Sequence, residues 1–419
     1  MKTVSLIINY LLFFALSTWI VFPYLYYLLS PFYILIVFSM WCVTALLSMK
    51  AIYRPRVYIL SSLSWLIMIL FYHLIGLSNV HVNIYFQCFF FLFFLYAFCF
   101  YQRYGRMEMN CKLLKALFLI IMISFVWSSF TLIVYPSIND LSDKSGYNVG
   151  STPYSFFACI IWTCSFLLYK NKPVLSVLIQ VISLVLLLLM VRTISLLTAF
   201  VFIAVYFIQR ISGRNMKAKK IVAVITLLIL ILLFFEFSDT IISIVLKVIG
   251  AEGKLYDRVN ELQYFVNNGI FSNLRGSSGS ARIDLYKASF TAWLSSFRTI
   301  LFGNGWIQYD SYSIDYISEI LVGGHSEFFD SLAKFGVFGS MLFFGTILAF
   351  FWRIQYAINE KKHIIICYHI VILFYSILNR FATEPSVGLG LFFVVPFTLL
   401  YGDELNNNKA EDTLLPYSN

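Results

Sequence analysis

Apolar residues run through this chain in long blocks divided by short clusters of Lys and Arg. A helix rising about 1.5 Å per residue needs about 20 such residues to cross a hydrocarbon core of about 30 Å. By that measure the blocks predict about twelve spans, at 4–22, 31–48, 57–77, 82–101, 113–135, 153–169, 173–191, 193–209, 221–238, 334–352, 363–378 and 387–402. The stretch 173–209 holds a single charge, Arg192, and no Gly or Pro at a turn. As one helix it would extend about 55 Å, too long for one crossing, so it is read as two helices that reverse at Arg192.

Charge sets the orientation. With both termini placed inside, 19 of the 30 Lys and Arg fall on the cytoplasmic side, including Lys50, Arg54, Arg56, Arg103, Arg106, Lys170 and Lys172. Acidic residues run the other way, with 6 inside and 14 outside. The formal charge of +10 is therefore mostly topological and is no sign of a nucleic-acid partner. Composition agrees: 60% hydrophobic and 12% charged residues exclude a soluble enzyme or a nucleic-acid binder. The expected fold class is an all-α polytopic membrane protein in which one large outer loop caps the outer face. The first run, 1–24, is read as a span rather than a cleaved signal, because no small-x-small site precedes Pro23.

The domain reading follows. Residues 1–238 hold spans one to nine, 239–333 form the outer loop, 334–402 hold the last three spans and 403–419 are a cytoplasmic tail. Aromatic residues, alternating polar residues and glycines in 239–333 argue for a packed cap rather than a spacer.

Several chemistries lack their signatures. There is no Walker loop or kinase motif, the five histidines form no H-E-x-x-H pair, and the seven cysteines show no C-x-x-C spacing. Neither a nucleotide, a metal nor any other cofactor is expected. The outer loop carries a sharper pattern. After Gly276–Ser280, apolar residues at Ile283, Tyr286, Phe290, Trp293, Leu294 and Phe297 follow helical spacing, with Ser280 read as the N-cap and Arg282 in the first turn. The turn Gly303-Asn304-Gly305 closes this unit, and Gly323-Gly324-His325-Ser326-Glu327-Phe328-Phe329-Asp330 leads into Gly336-Val337-Phe338-Gly339. Arg192 points to the same side. Guanidinium groups grip phosphate oxygens in bidentate fashion, and a histidine can take a hydroxyl proton near neutrality, so two arginines near a histidine suit a diphosphate leaving group. Plainer readings stand beside this one. Arg192 could snorkel to the interface, Arg282 could pair with Asp284 or Asp257, and the glycines before His325 could mark an ordinary turn.

In this layout and these motifs the chain resembles the bacterial O-antigen polymerases and O-antigen ligases. The matching features are Arg192-Thr193-Ile194-Ser195 opening a helix, Arg282 on a helix with Trp293 before a G-x-G turn, and His325 ahead of a G-x-x-G. The family's histidine is usually followed by Asn; here Ser326 follows, a departure that points away from the ligase branch. The resemblance implies a multi-pass enzyme of the bacterial inner membrane, with its large loop in the periplasm, acting on undecaprenyl-diphosphate-linked oligosaccharides. It implies an inverting, metal-independent glycosyl transfer. Arg192 and Arg282 would bind the diphosphate and His325 would act as base or orienter. Glu327 is a reserve base or a partner that orients His325, and Arg380 and Glu384 line a channel or serve the structure. Partners are the lipid-linked glycan, the bilayer and a chain-length regulator. Tyr256, Tyr264, Trp306, Tyr309 and Tyr312 are candidates for stacking on sugars. A flippase or transporter is the competing class. It predicts inverted repeats and mid-membrane charges, which the spans do not show.

Overall fold

The computed structural model describes residues 2–23, 25, 31–49, 56–75, 82–135, 149, 151–168, 172–190, 192–211, 278–305, 326–357 and 362–402. Among them every regular element is helical. In chain order these are α1 (Lys2–Val21), α2 (Pro31–Ser48), α3 (Val57–Leu74), α4 (Val82–Tyr104), α5 (Met107–Val134), α6 (Thr152–Leu168), α7 (Pro173–Met190), α8 (Thr193–Ile211), α9 (Ser278–Leu294), α10 (Phe297–Phe302), α11 (Glu327–Ala357), α12 (Lys362–Leu378) and α13 (Pro385–Tyr401). Five stretches are long and apolar enough to cross a membrane: Thr3–Val21, Val57–Leu74, Met107–Val134, Pro173–Met190 and Glu327–Gln355. Six shorter apolar helices occupy the positions of further expected spans. The chain is thus a multi-pass membrane protein. The expected span 221–238 lies outside the described residues, as do 239–277 and 306–325 of the outer loop. The stretch 173–209 is two helices, one ending at Met190 and the next beginning at Thr193, as the length argument requires.

Two compact units share the chain. The first comprises 1–60, 81–192 and 381–419. Its core is aromatic: Phe13 packs on Phe94, Tyr101 and Phe393, and Phe91 packs on Phe381 and Phe392. Lipid supplies no hydrophobic drive between helices, so interhelical hydrogen bonds matter more here. Tyr10 donates to Asn110 Oδ1 at 2.6 Å, Tyr101 donates to Asn9 Oδ1 at 2.7 Å, and Asn110 Nδ2 donates to the Tyr401 hydroxyl at 3.1 Å. These bonds join α1, α4, α5 and α13. Within α13 a π-helical turn, Gly390–Val394, precedes Pro396, whose missing N–H removes one ordinary helical bond.

The second unit comprises 61–80 and 193–380. Here α8 and α11 pack on α12, and α9 and α10 pack on α11. From α3, Trp65 stacks near Phe343 and Phe335, and the Tyr72 hydroxyl donates to Phe302 O.

Candidate functional site

One end of the second unit is built by helices whose backbones dock directly. Helix α11 is broken at Gly336, where φ is 63° and ψ is −167°. A break there strips the carbonyls of Ala333 and Lys334 of the N–H groups that a continuous helix would supply four residues on. The turn after α10 replaces them: Asn304 N–H donates to Ala333 O at 2.8 Å and Gly305 N–H to Lys334 O at 2.9 Å. The Asn304 side chain adds a bond to Ala292 O at 2.9 Å, which reaches α9.

Both glycines are forced by this approach. A Cβ on Gly303, at φ 77°, would lie 2.2 Å from Lys334 O, and one on Gly336 would lie 2.3 Å from the Leu301 carbonyl carbon. No side chain fits where two backbones touch. The G-x-G and G-x-x-G motifs are therefore two halves of one joint.

The turn is carried by a tight hairpin of α9 and α10. Ser296 and Thr299 form a capping box at the start of α10, and Trp293 Nε1 donates to Ile300 O at 3.1 Å. The motif tryptophan thus braces the hairpin. Helix α9 begins at Ser278, two residues before the expected cap, so Ser280 lies inside it and Arg282 falls in the second turn rather than the first. Farther along, Tyr286 donates to Leu378 O at 2.8 Å, which ties α9 to the end of α12.

Helix α11 starts at the other motif. Ser326 is its N-cap: the hydroxyl accepts from Phe329 N–H at 3.1 Å and donates to Ser376 O at 3.1 Å. Glu327 N–H donates to Asn379 O at 3.1 Å, which ties this helix start to the residue after α12. Serine and asparagine cap helices about equally well. The serine after His325 therefore meets a capping demand, and it discriminates less between polymerase and ligase than the sequence suggested.

Asp330 ends the motif that begins at Gly323, and its role shows only in the fold. It is buried, accepts from the Ser289 hydroxyl at 2.8 Å through Oδ1, and accepts from Ser326 N–H at 3.3 Å through Oδ2. Lys334, also buried, and Arg380 lie within electrostatic range, and Glu327 opposes them. The i,i+4 spacing of Asp330 and Lys334 was the available signal, hidden because the segment was read as loop up to residue 333.

The candidate residues are placed as follows. Arg282 sits on α9, and Glu327 is the first residue of α11, partly buried. Arg380 is half-buried beside Asn379, whose Oδ1 accepts from the Arg380 N–H at 2.9 Å. Arg192 is half-buried at the break between α7 and α8 and belongs to the first unit. Glu384 also belongs to the first unit, where Ser386 donates to its Oε1 at 2.9 Å and Tyr154 lies within electrostatic range. Burial pushes the Glu384 carboxyl up to about 7, against the Ser386 hydroxyl and amide, which favour the charged form. His325, Tyr256, Tyr264, Trp306, Tyr309 and Tyr312 lie outside the described residues. Among the described residues no group of three or more His, Cys, Asp or Glu is placed to hold a metal.

Residues 175–344 match the family model described as O-antigen ligase. That range contains Arg192, Arg282, His325 and both glycine motifs, and it ends before Arg380 and Glu384. The match supports the O-antigen polymerase and ligase superfamily, a class of membrane glycosyltransferase-like enzymes. No curated protein matches the chain.

Proposed function

We propose, from the match to the O-antigen ligase family model, that this chain polymerises undecaprenyl-diphosphate-linked O-antigen repeat units at the periplasmic face of the inner membrane. A hydroxyl of the acceptor repeat unit attacks the anomeric carbon of the growing chain. The new glycosidic C–O bond forms as the C–O bond to phosphate breaks, with inversion, and the electron pair leaves on undecaprenyl diphosphate. His325 takes or orients the acceptor proton, with Glu327 as its partner or substitute. Arg192 and Arg282 meet the negative charge that develops on the diphosphate; preorganised cations in a partly dry site stabilise it without metal. The outer Arg380 and Glu384 border the route taken by the glycan. A chain-length regulator is the protein partner this reaction calls for.

One observation carries the reading: the helix bearing Arg282 and the helix that follows His325 are joined through the glycine motifs of the matched segment. The second reading, an O-antigen ligase, uses the same donor and delivers it to the lipid A core. Deletion of the gene and complementation with single variants separates them on a lipopolysaccharide gel. Loss of the polymerase leaves core bearing one repeat unit, whereas loss of a ligase leaves bare core. Arg192→Ala, Arg282→Ala and His325→Ala should each fail to restore the ladder. Normal ladders from the Arg282→Ala and His325→Ala strains would overturn the mechanism.

A further inference from the structure

Asp330 lies in the second turn of α11 with 2% of its surface exposed, and each of its oxygens serves a different segment. Oδ1 accepts from Ser289 of α9, at 2.8 Å. Oδ2 accepts at 3.3 Å from Ser326 N–H, which is the amide of the peptide bond joining His325 to Ser326. Ser289 follows Arg282 by seven residues, two helical turns, so the two positions share one face of α9. Tyr286, between them on that face, is tied to Leu378 O at 2.8 Å. The carboxylate thus bridges the helix that carries Arg282 and the Ser326 N-cap of α11.

A packing role alone does not account for a carboxylate here. Desolvating a charge is costly, and an apolar side chain of like volume fills such a site at less expense. What the carboxylate adds is a flat fork with one acceptor on each segment. Lys334 and Arg380 lie within its electrostatic range and offset its charge, while Glu327 opposes it.

We propose that Asp330 is a positioning residue for the glycosyl transfer, its carboxylate holding the Arg282 helix and the Ser326 N-cap, the residue next in sequence to His325, in one register. This rests on the function proposed above. Misplacing reacting groups by about 1 Å costs on the order of 10²-fold in rate, so register is a catalytic quantity even for a group that touches no substrate.

The test uses the full chain, purified and reconstituted into vesicles. Its substrate is undecaprenyl-diphosphate-linked repeat units isolated from the deletion strain, and turnover is measured per folded molecule. Asp330→Ala removes both acceptors at once, whereas Asp330→Asn can turn its amide to accept from Ser326 N–H and donate to the Ser289 hydroxyl, and so keeps the bridge. The expected result for Asp330→Ala is a fall in kcat of about 10- to 100-fold with KM changed less than about threefold. Asp330→Glu should recover part of the loss. Ser289→Ala should lower kcat by less, and the Ser289→Ala/Asp330→Ala pair should fall short of the product of the two single effects, because both act through one bridge.

Wild-type kcat per folded molecule in Asp330→Ala would overturn the proposal, as would a loss confined to the amount of folded protein. If Asp330→Ala yields no folded protein, Ser289→Ala reads the same quantity, and wild-type kcat there overturns it equally. Arg282→Ala and His325→Ala are run alongside. Wild-type turnover in those two defeats the underlying function. Abolished turnover in them, with Asp330→Ala at the wild-type level, defeats only the positioning role.

Discussion

Replacing Gly336 by alanine should cost this protein far more than a single methyl suggests. The residue sits at φ 63° and ψ −167°, a region that side-chain-bearing residues avoid at a cost of about 1–3 kcal/mol. The added Cβ would also lie 2.3 Å from the Leu301 carbonyl carbon and 2.4 Å from both Leu301 O and Phe302 N. These are backbone atoms and cannot rotate away. Relief requires the turn at 303–305 to lift off α11, which breaks the bonds to Ala333 O and Lys334 O. Each buried carbonyl left without a donor costs about 1–3 kcal/mol. Taking the lower figures, the total is about 3 kcal/mol, a large part of the roughly 5–15 kcal/mol that holds a typical domain together. The control lies on the same helix. A Cβ at Gly345 meets nothing within 4 Å, and glycine to alanine in a helix interior stabilises by about 0.5–1 kcal/mol. Denaturant unfolding of the purified chain in mild detergent should therefore move the midpoint down for Gly336→Ala and slightly up for Gly345→Ala. Equal midpoints for the two variants would refute the backbone joint.

Other changes probe neighbouring parts of the same reasoning. Asn304→Ala removes the side-chain bond to Ala292 O and should cost about 1–2 kcal/mol in the same unfolding measurement, with Asn304→Asp no better because a carboxylate cannot donate. Ser326→Ala should cost about 1 kcal/mol through loss of the α11 cap while Ser326→Asn stays near wild type; equal losses in both would show that capping is not its role. For Glu384 the folded carboxyl sits near 7 against an ordinary value of 4.5, so the folded state holds a proton that the unfolded chain has released between those values. Stability should be highest below about pH 4.5, fall as pH rises through the window to about 7, and then level off. Glu384→Gln should flatten that fall, measured as thermal midpoint against pH relative to wild type.

The helices were legible in the sequence because a bilayer imposes a local rule: enough consecutive apolar residues must appear, and charges must sit at the ends. The break at Arg192 followed from length alone. The helix bearing Arg282 and the turn at Gly303-Asn304-Gly305 were legible too, since helical spacing and paired glycines are local signals. Less was legible of how these parts meet. Ser289 and Asp330 are 41 positions apart and Tyr286 and Leu378 are 92 apart, and no periodicity reports a hydrogen bond across such a gap. The start of α9 at Ser278 was missed for the same reason: packing against α11 outweighed the poor helix propensity of a Gly/Ser stretch. Apolar run length and end charges thus determined the class of fold, and the short arginine, glycine and histidine motifs the candidate residues. Which backbones touch, why Gly303 and Gly336 are glycine, and what Asp330 holds were decided only when distant segments packed, because a joint between two backbones leaves no trace in either one alone.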